Sequence, residues 1–247
     1  MSPIRLILPR FATVRLVDEV LVLWDVDHTL VDVDGLGREA YELAFFRRYG
    51  RPVTHRPPMA GRTDRAIAHD VLRHNGAPTS EEHLEGLRVA AETAFDELAH
   101  LLPVRGRALP GALAAVTSAS GVQSVLTGNL RRIAEVKLGP FGLVEHLDLD
   151  AGAYGWSHTV RANLVGIARA AARHRYERSF DGRRTVLVGD TPLDVEAALA
   201  TGAGVVAVAT GRYTVEELAA AGAHAVLPDL SDTRGVGDAI RRARTGR

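Results

Sequence analysis

Leu21-Val22-Leu23-Trp24-Asp25-Val26-Asp27-His28-Thr29-Leu30 is the stretch on which the fold turns. Its first four residues are apolar and uncharged, the pattern of a strand buried on both faces in the interior of a parallel sheet. Asp25 and Asp27 follow where that strand should end. Two residues apart on an extended backbone, both carboxylates point to the same side. Like charges that close are costly unless a cation or a shared proton offsets them. Alone, Asp-x-Asp reads first as a capped turn before Thr29, and the rest of the chain must supply the reason to read it as part of a site.

The chain has 247 residues, enough for one large α/β domain or for a core with a smaller inserted one. Lys plus Arg and Asp plus Glu balance at 30 each, so no net field favours nucleic acid or an anionic membrane, and any charge-driven function is local. The absence of cysteine excludes disulfides, thiolate catalysis and Cys-ligated zinc, and fits a reducing compartment. Met1 to Val20 has a short apolar run broken by Pro9 and Arg10, without a secretory cleavage pattern. No segment approaches a membrane span, and a cytoplasmic location is expected. Lys137 is the sole lysine.

After Leu30 the pattern turns helical. Asp32 to Gly37, with two glycines, reads as a hinge in which Asp32 and Asp34 are solvated. Arg38 to Tyr49 has helical spacing and stops at Gly50, and a Pro-rich linker follows from Pro52 to Pro58. Thr63 caps a helix bearing Ile67, Ala68, Val71 and Leu72, and Thr79-Ser80-Glu81-Glu82 reads as a capping box opening a long helix. Residues 35–105 therefore read as an all-α cap inserted into an α/β core made of residues 1–34 and 106–247. From Pro110 the α/β alternation resumes. Strands are expected at Val122 to Leu126, Leu143 to Leu149, Thr185 to Val188, Gly204 to Ala209 and Ala225 to Leu227, with Asn129 capping the helix after the first of these. Asp148 and Asp150 flank the Leu143–Leu149 strand, and the Arg-rich tail Arg241 to Arg247 is expected to fray. Alternation of this kind predicts a doubly wound parallel sheet.

Ligands bind such sheets at the C-terminal edge of the strands. That edge gathers Asp25 and Asp27 from the first strand, Thr127-Gly128-Asn129 from the second, and Gly189-Asp190 with Asp194 from the fourth. Converging carboxylates make a hard oxygen site suited to Mg²⁺. A hydroxyl and free N–H groups at a helix start make a phosphate cradle. Metal, cradle and a spare carboxylate together describe phosphoryl transfer. Asp194 also fits a simple helix cap with Thr191, with Pro192 at the first helical position.

In order and kind, Asp25-Val26-Asp27-His28-Thr29-Leu30, Thr127-Gly128-Asn129 and Gly189-Asp190 to Asp194 resemble the motifs of the haloacid dehalogenase-like (HAD) superfamily, from the phosphoglycolate phosphatase and phosphoglucomutase-like branch with a helical cap. The resemblance runs from about Leu21 to Leu227. It implies a Rossmann-like core and Asp25 as the nucleophile that forms an aspartyl phosphate. Asp27 would protonate the leaving oxygen and then activate water. Mg²⁺ would be held by Asp25, the backbone carbonyl of Asp27 and Asp190, and Thr127, Gly128 and Asn129 would hold the phosphoryl group. Dehalogenase members typically lack the second aspartate, because halide leaves without a proton, so Asp27 favours phosphate esters.

The chain departs from the family where many relatives carry a Lys-Pro pair after the third strand. Lys137 lies eight residues beyond Asn129, roughly 12 Å along a helix from the catalytic edge. Arg161 lies near a helix start just after the third strand, and its guanidinium can grip phosphate bidentately. Arg161 is therefore expected to replace the family lysine, with Lys137 as the alternative. In the cap, Arg62, Thr63 and Asp64 read either as substrate contacts or as a plain helix start. His28 reads as a pocket wall, and Tyr154 and Trp156 as pocket entrance or packing. The expected protein is a Mg²⁺-dependent phosphatase for a small phosphorylated metabolite, a monomer or homodimer without nucleic-acid or membrane partners. A sugar-phosphate phosphomutase and a non-catalytic phosphate-ester-binding regulator are the rivals.

Overall fold

β1 (Leu21–Trp24) occupies the middle of a parallel sheet because all four of its side chains are apolar and fully buried. In the computed structural model, which describes residues 20–246, the other strands of this sheet are β4 (Val122–Thr127), β5 (Ala153–Tyr154), β6 (Thr185–Gly189), β7 (Gly204–Val208) and β8 (Ala225–Leu227). Their order is β5-β4-β1-β6-β7-β8, and every neighbouring pair is parallel. A short antiparallel pair, β2 (Val31–Asp32) with β3 (Arg107–Ala108), stands apart. Trp24 is in register with Val125 on one side and Val188 on the other, so the chain ends leaving β1, β4 and β6 emerge side by side. The direction of winding reverses at β1, which is where a doubly wound sheet opens a crevice for ligand.

Helices cover both faces. α5 (Ala112–Ser118), α6 (Arg131–Leu138) and α10 (Thr233–Thr245) pack with Val22 and Trp24, while α7 (Arg161–Tyr176), α8 (Pro192–Ala200) and α9 (Val215–Ala220) pack with Leu21 and Leu23. Alternation along β1 thus divides the core in two. Between β2 and β3 lie α1 (Leu36–Tyr49), α2 (Asp64–His74), α3 (Glu81–Leu98) and the short α4 (Leu102–Arg105). α1 lays Ala40, Ala44 and Phe45, and α3 lays Leu87, Ala91 and Phe95, into one apolar cluster that continues through Ile133 and Leu138 of α6 to the sheet. Full burial of each Leu or Phe there contributes about 1.5–3 kcal/mol. The helical segment is therefore packed through α6 onto the sheet. Among the described residues, no helix is long and apolar enough to cross a membrane.

Several local expectations need correction. Leu143 to Leu149 is not a strand: it forms tight turns at Val144–His146 and Leu149–Ala151, and the strand comes later, as β5. Leu143, Leu147 and Leu149 are buried, but the Asp148 side chain accepts from the Asp150 N–H and caps the second turn, which competes with a ladder. Asp148 also pairs with Arg175 and accepts from the Tyr176 hydroxyl at 2.5 Å. Ser80 makes no capping bond; its hydroxyl meets His83 Nδ1 at 2.8 Å. Thr63 does cap α2, accepting from the Ala66 N–H. The tail is helical to Thr245 rather than frayed, because Val236, Ala239, Ile240 and Ala243 recur at helical spacing and are buried. The reading of Met1 to Val20 falls, apart from Val20, outside the described residues.

Candidate active site

Three adjacent strand ends deliver the site. Asp25 follows β1, its N–H donating to the Val188 carbonyl at 2.8 Å, and is 5% exposed. Thr127 ends β4, and Asp190 follows β6. Asp194 sits in the first turn of α8, where it completes a capping box with Thr191; its Oδ2 accepts from the Thr191 N–H at 3.1 Å and hydroxyl at 2.7 Å. The cap reading of Asp194 is thus correct, and the same side chain turns its other oxygen into the site. Asp25, Asp190 and Asp194 place one oxygen each within 4.8 Å of one another, all buried.

Arg161, the first residue of α7, reaches this group. Its Nη2 lies 3.1 Å from Asp25 Oδ1 and 2.5 Å from Asp194 Oδ1, and it donates to the Leu126 carbonyl at 3.2 Å. Burial pulls the guanidinium down, and the Asp194 and Asp25 carboxylates more than restore it, so it stays charged. One guanidinium does not balance three carboxylates. Burial pushes Asp25 up to about 6, with Arg161 opposing and Asp194 and Asp27 adding to the rise. Asp190 is pushed up to about 9 by burial and by its Asp25 and Asp194 neighbours. An all-carboxylate, buried donor set short of positive charge fits a hard divalent cation such as Mg²⁺.

Asp27 behaves differently. Its carboxylate meets Lys137, whose Nζ lies 2.7 Å from both oxygens, while Asn129 Nδ2 donates to Oδ2 at 2.7 Å. Burial raises Asp27, but the Lys137 charge and the Lys137 and Asn129 hydrogen bonds outweigh it and hold the group below the usual carboxylate range. Lys137 is therefore not 12 Å away. Its ammonium stands in the site, 3% exposed, and also donates to Asn129 Oδ1 at 2.8 Å. Asn129 in turn is not the cap of α6, because its side chain is committed to Asp27, Lys137 and Thr127 Oγ1. The Leu130 N–H at the start of α6 is instead satisfied by Asp64 Oδ2 at 2.6 Å.

That bond belongs to a seam between the helical segment and the core. The Asp64 N–H donates to the Gly128 carbonyl at 2.7 Å and the Arg65 N–H to the Gly155 carbonyl at 3.2 Å. Only glycine fits at 155: an added Cβ would fall 1.8 Å from the Gly128 carbonyl oxygen. Burial pushes the Asp64 carboxyl up to about 7 against the lowering pull of the Leu130 N–H and Lys137. Thr63 donates to the Thr159 carbonyl at 3.0 Å, and Arg62 pairs with Asp70 at 2.7 Å.

Between the seam and the strand ends lies a cavity of about 500 Å³. Asp25, Asp27, Thr127, Gly128, Asn129, Arg161 and Asp190 line it, and so do Lys137, Arg62 and Asp64, whereas Thr63 and Asp194 do not. Arg38 and Tyr41 of α1 and Arg212 after β7 line it too, and were not singled out from the sequence. His28 is at its mouth, exposed and in the left-handed region at φ 56°, and Asp32, expected as solvated hinge, lines it while paired to Arg107. Asp150 and Asp34 pair with Arg131 and Arg105 and take no part in the lining, nor do Tyr154 and Trp156. Tyr154 is buried and gives its hydroxyl to the Leu149 carbonyl at 2.6 Å, and Trp156 lies under the Arg65 guanidinium.

Comparison with solved structures finds the same fold repeatedly. A hydrolase from Pseudomonas syringae superposes with a TM-score of 0.63 at 22% identity, over 87% of this chain and 96% of its own. CbbY from Rhodobacter sphaeroides in complex with phosphate gives 0.64 at 19%, over 86% and 95%. A predicted phosphoglycolate phosphatase from Haemophilus somnus gives 0.61 at 14%, over 89% and 99%. At these identities the likeness is one of fold. No curated protein matches the chain. A family model does: the haloacid dehalogenase-like hydrolase model matches residues 22–199, from β1 through the carboxylates after β6 and nearly all of α8. With the sheet order and the strand-end carboxylates, that match makes the chain a member of the haloacid dehalogenase-like hydrolase family.

Proposed function

We propose that the protein is a Mg²⁺-dependent phosphatase that cleaves a small phosphate monoester through an aspartyl phosphate on Asp25. The observation that carries this reading is the division of the Asp-x-Asp pair. Asp25 sits with Asp190, Asp194 and Arg161, while Asp27 is held apart by Lys137 and Asn129. One carboxylate is thereby placed among groups that gather charge, and the other is kept separate for proton transfer.

Asp25, the carbonyl of Asp27 and Asp190 would hold Mg²⁺. Bound there, the ion shields the phosphate charge from the incoming carboxylate. Asp25 attacks phosphorus, the bond to the ester oxygen breaks, and that oxygen takes a proton from the Asp27 carboxyl. A dianionic ester entering beside Asp27 opposes the pull of Lys137 and raises its affinity for this proton. Water then attacks the aspartyl phosphate, gives its proton to the Asp27 carboxylate, and releases inorganic phosphate and the Asp25 carboxylate. Arg161, in contact with Asp25, offsets charge on the transferring group, and Thr127 with the Gly128 and Asn129 N–H groups cradles it. Residues 35–105 act as a cap over the substrate, with Arg62, Thr63 and Asp64 forming its seam to the core. The partner is a small phosphorylated metabolite; a balanced net charge gives no support to nucleic acid or membrane binding, and a monomer or homodimer in the cytoplasm is expected.

The test is phosphate release across a panel of esters, including p-nitrophenyl phosphate, with Mg²⁺, for wild type and Asp25→Asn. Release by wild type and its loss in the variant support the reading. Isomerisation of a sugar phosphate without release would favour a phosphomutase, and silence across the panel a binding protein.

A further inference from the structure

We infer that Lys137 is a positioning residue for Asp27, not a second phosphate ligand standing in for the family lysine. The inference rests on the phosphatase reading above. Lys137 Nζ faces three acceptor oxygens: both of Asp27 at 2.7 Å and Asn129 Oδ1 at 2.8 Å. An ammonium has three donors and no more, so in this arrangement none is left for a phosphate. Asn129 closes the ring by donating to Asp27 Oδ2 at 2.7 Å and to Thr127 Oγ1 at 2.8 Å. Each member of the triangle therefore fixes the others.

The helical segment covers the Lys137 corner of the triangle and leaves Asp27 open to the cavity. Nζ lies 5.7 Å from the centre of the Phe95 ring of α3, and a Cβ on Gly37 of α1 would come within 3.4 Å of Nζ. Arg161, by contrast, contacts Asp25 and Asp194 and makes no contact with Asp27. The two buried cations serve different carboxylates: Arg161 the attacking one, Lys137 the proton-carrying one. Lys137 holds the Asp27 carboxylate in a single orientation, the one from which its proton passes to the ester oxygen and returns from water.

Loss of Lys137 removes a charge that opposes protonation of Asp27, but it also frees the carboxylate to turn; the loss of orientation should dominate and harm proton delivery while sparing attack. Whether a leaving group needs a proton reads this out. A p-nitrophenolate departs unaided, but an alkoxide does not. For Lys137→Met, kcat/KM on a primary alkyl phosphate should fall by about 100-fold, against about 3-fold or less on p-nitrophenyl phosphate. KM and inhibition by inorganic phosphate should be nearly unchanged. Lys137→Arg should recover part of the alkyl phosphate activity. Should Lys137→Met fail to fold, as judged by thermal melting, Lys137→Gln, which keeps a neutral donor in place of the ammonium, is read by the same ratio of the two substrates, with a smaller loss on the alkyl phosphate. Equal losses on both substrates, or weaker inhibition by inorganic phosphate, would overturn the inference and make Lys137 a structural residue or a phosphate ligand. If wild type releases no phosphate, or Asp25→Asn stays active, the phosphatase reading falls and takes the inference with it. An active wild type, an inactive Asp25→Asn and uniform losses in Lys137→Met sink the inference alone.

Discussion

Arg161→Met removes the cation in direct contact with Asp25 and Asp194 while keeping much of the side-chain volume. At 6% exposure the guanidinium has little water to replace what it loses. Truncating one partner of a buried pair costs about 3–5 kcal/mol, because the charges left behind are uncompensated. Here Asp25 and Asp194 would lose the cation that touches both of them, with no other in direct contact among the described residues. For a chain of this length a kcal/mol moves the melting temperature by about 2–4 °C, so the metal-free variant should melt about 6–20 °C below wild type. Mg²⁺ should raise the variant's melting temperature more than the wild type's, since among the described residues no other positive charge then directly contacts the cluster. Turnover on any ester should fall by about 10²–10³-fold with Mg²⁺ present, as expected when a preorganised charge on the transferring group is lost. The assay is a melt with EDTA and with Mg²⁺, alongside phosphate release. A metal-free variant as stable as wild type, or turnover within a few-fold, would refute the electrostatic reasoning.

Two further perturbations follow from the same geometry. Asp25, Asp64 and Asp190 are raised to about 6, 7 and 9, so each keeps in the folded state a proton that the unfolded chain has released; metal-free stability should fall as pH rises from about 4 to about 9. Mg²⁺ should flatten the Asp25 and Asp190 part of that slope and leave the Asp64 part near pH 7, which denaturant titrations at several pH values will show. Gly155→Ala drives a methyl into the Gly128 carbonyl and the Asp64 N–H, so it should cost about 1–3 kcal/mol in a denaturation curve and raise KM by forcing apart the seam above the phosphate loop.

The edge that carries the candidate site is legible because parallel α/β sheets bind ligands at their strand ends. Apolar runs at β1, β4 and β6 locate those ends, where Asp25, Thr127 and Asp190 line the cavity. Arg161 was legible for a similar reason, as the first residue of a helix facing that edge. Lys137 was misplaced because counting helical rise follows the backbone alone. Helical side chains lean toward the N-terminus, and a lysine adds a long stem to that lean. α6 begins only at Arg131, so the ammonium reaches back over its first turns. Its being the sole lysine was the one available signal. Asn129 deceived in the opposite way: it has the chemistry of a cap, but a tertiary partner, Asp64, took that role and freed it for Asp27. The absent strand at Leu143 to Leu149 shows apolar burial achieved without a ladder, which residue pattern does not distinguish from a buried strand.

In the proposed reaction Asp25 carries the phosphoryl group covalently. Wild type and Asp27→Asn should be incubated with Mg²⁺ and p-nitrophenyl phosphate, quenched in acid, digested and examined by mass spectrometry. One phosphoryl mass is expected on the peptide containing Asp25, more abundant in Asp27→Asn because water is no longer activated, and absent from Asp25→Asn. Turnover with no phosphoryl adduct in either protein, or an adduct on another residue, would contradict that reaction.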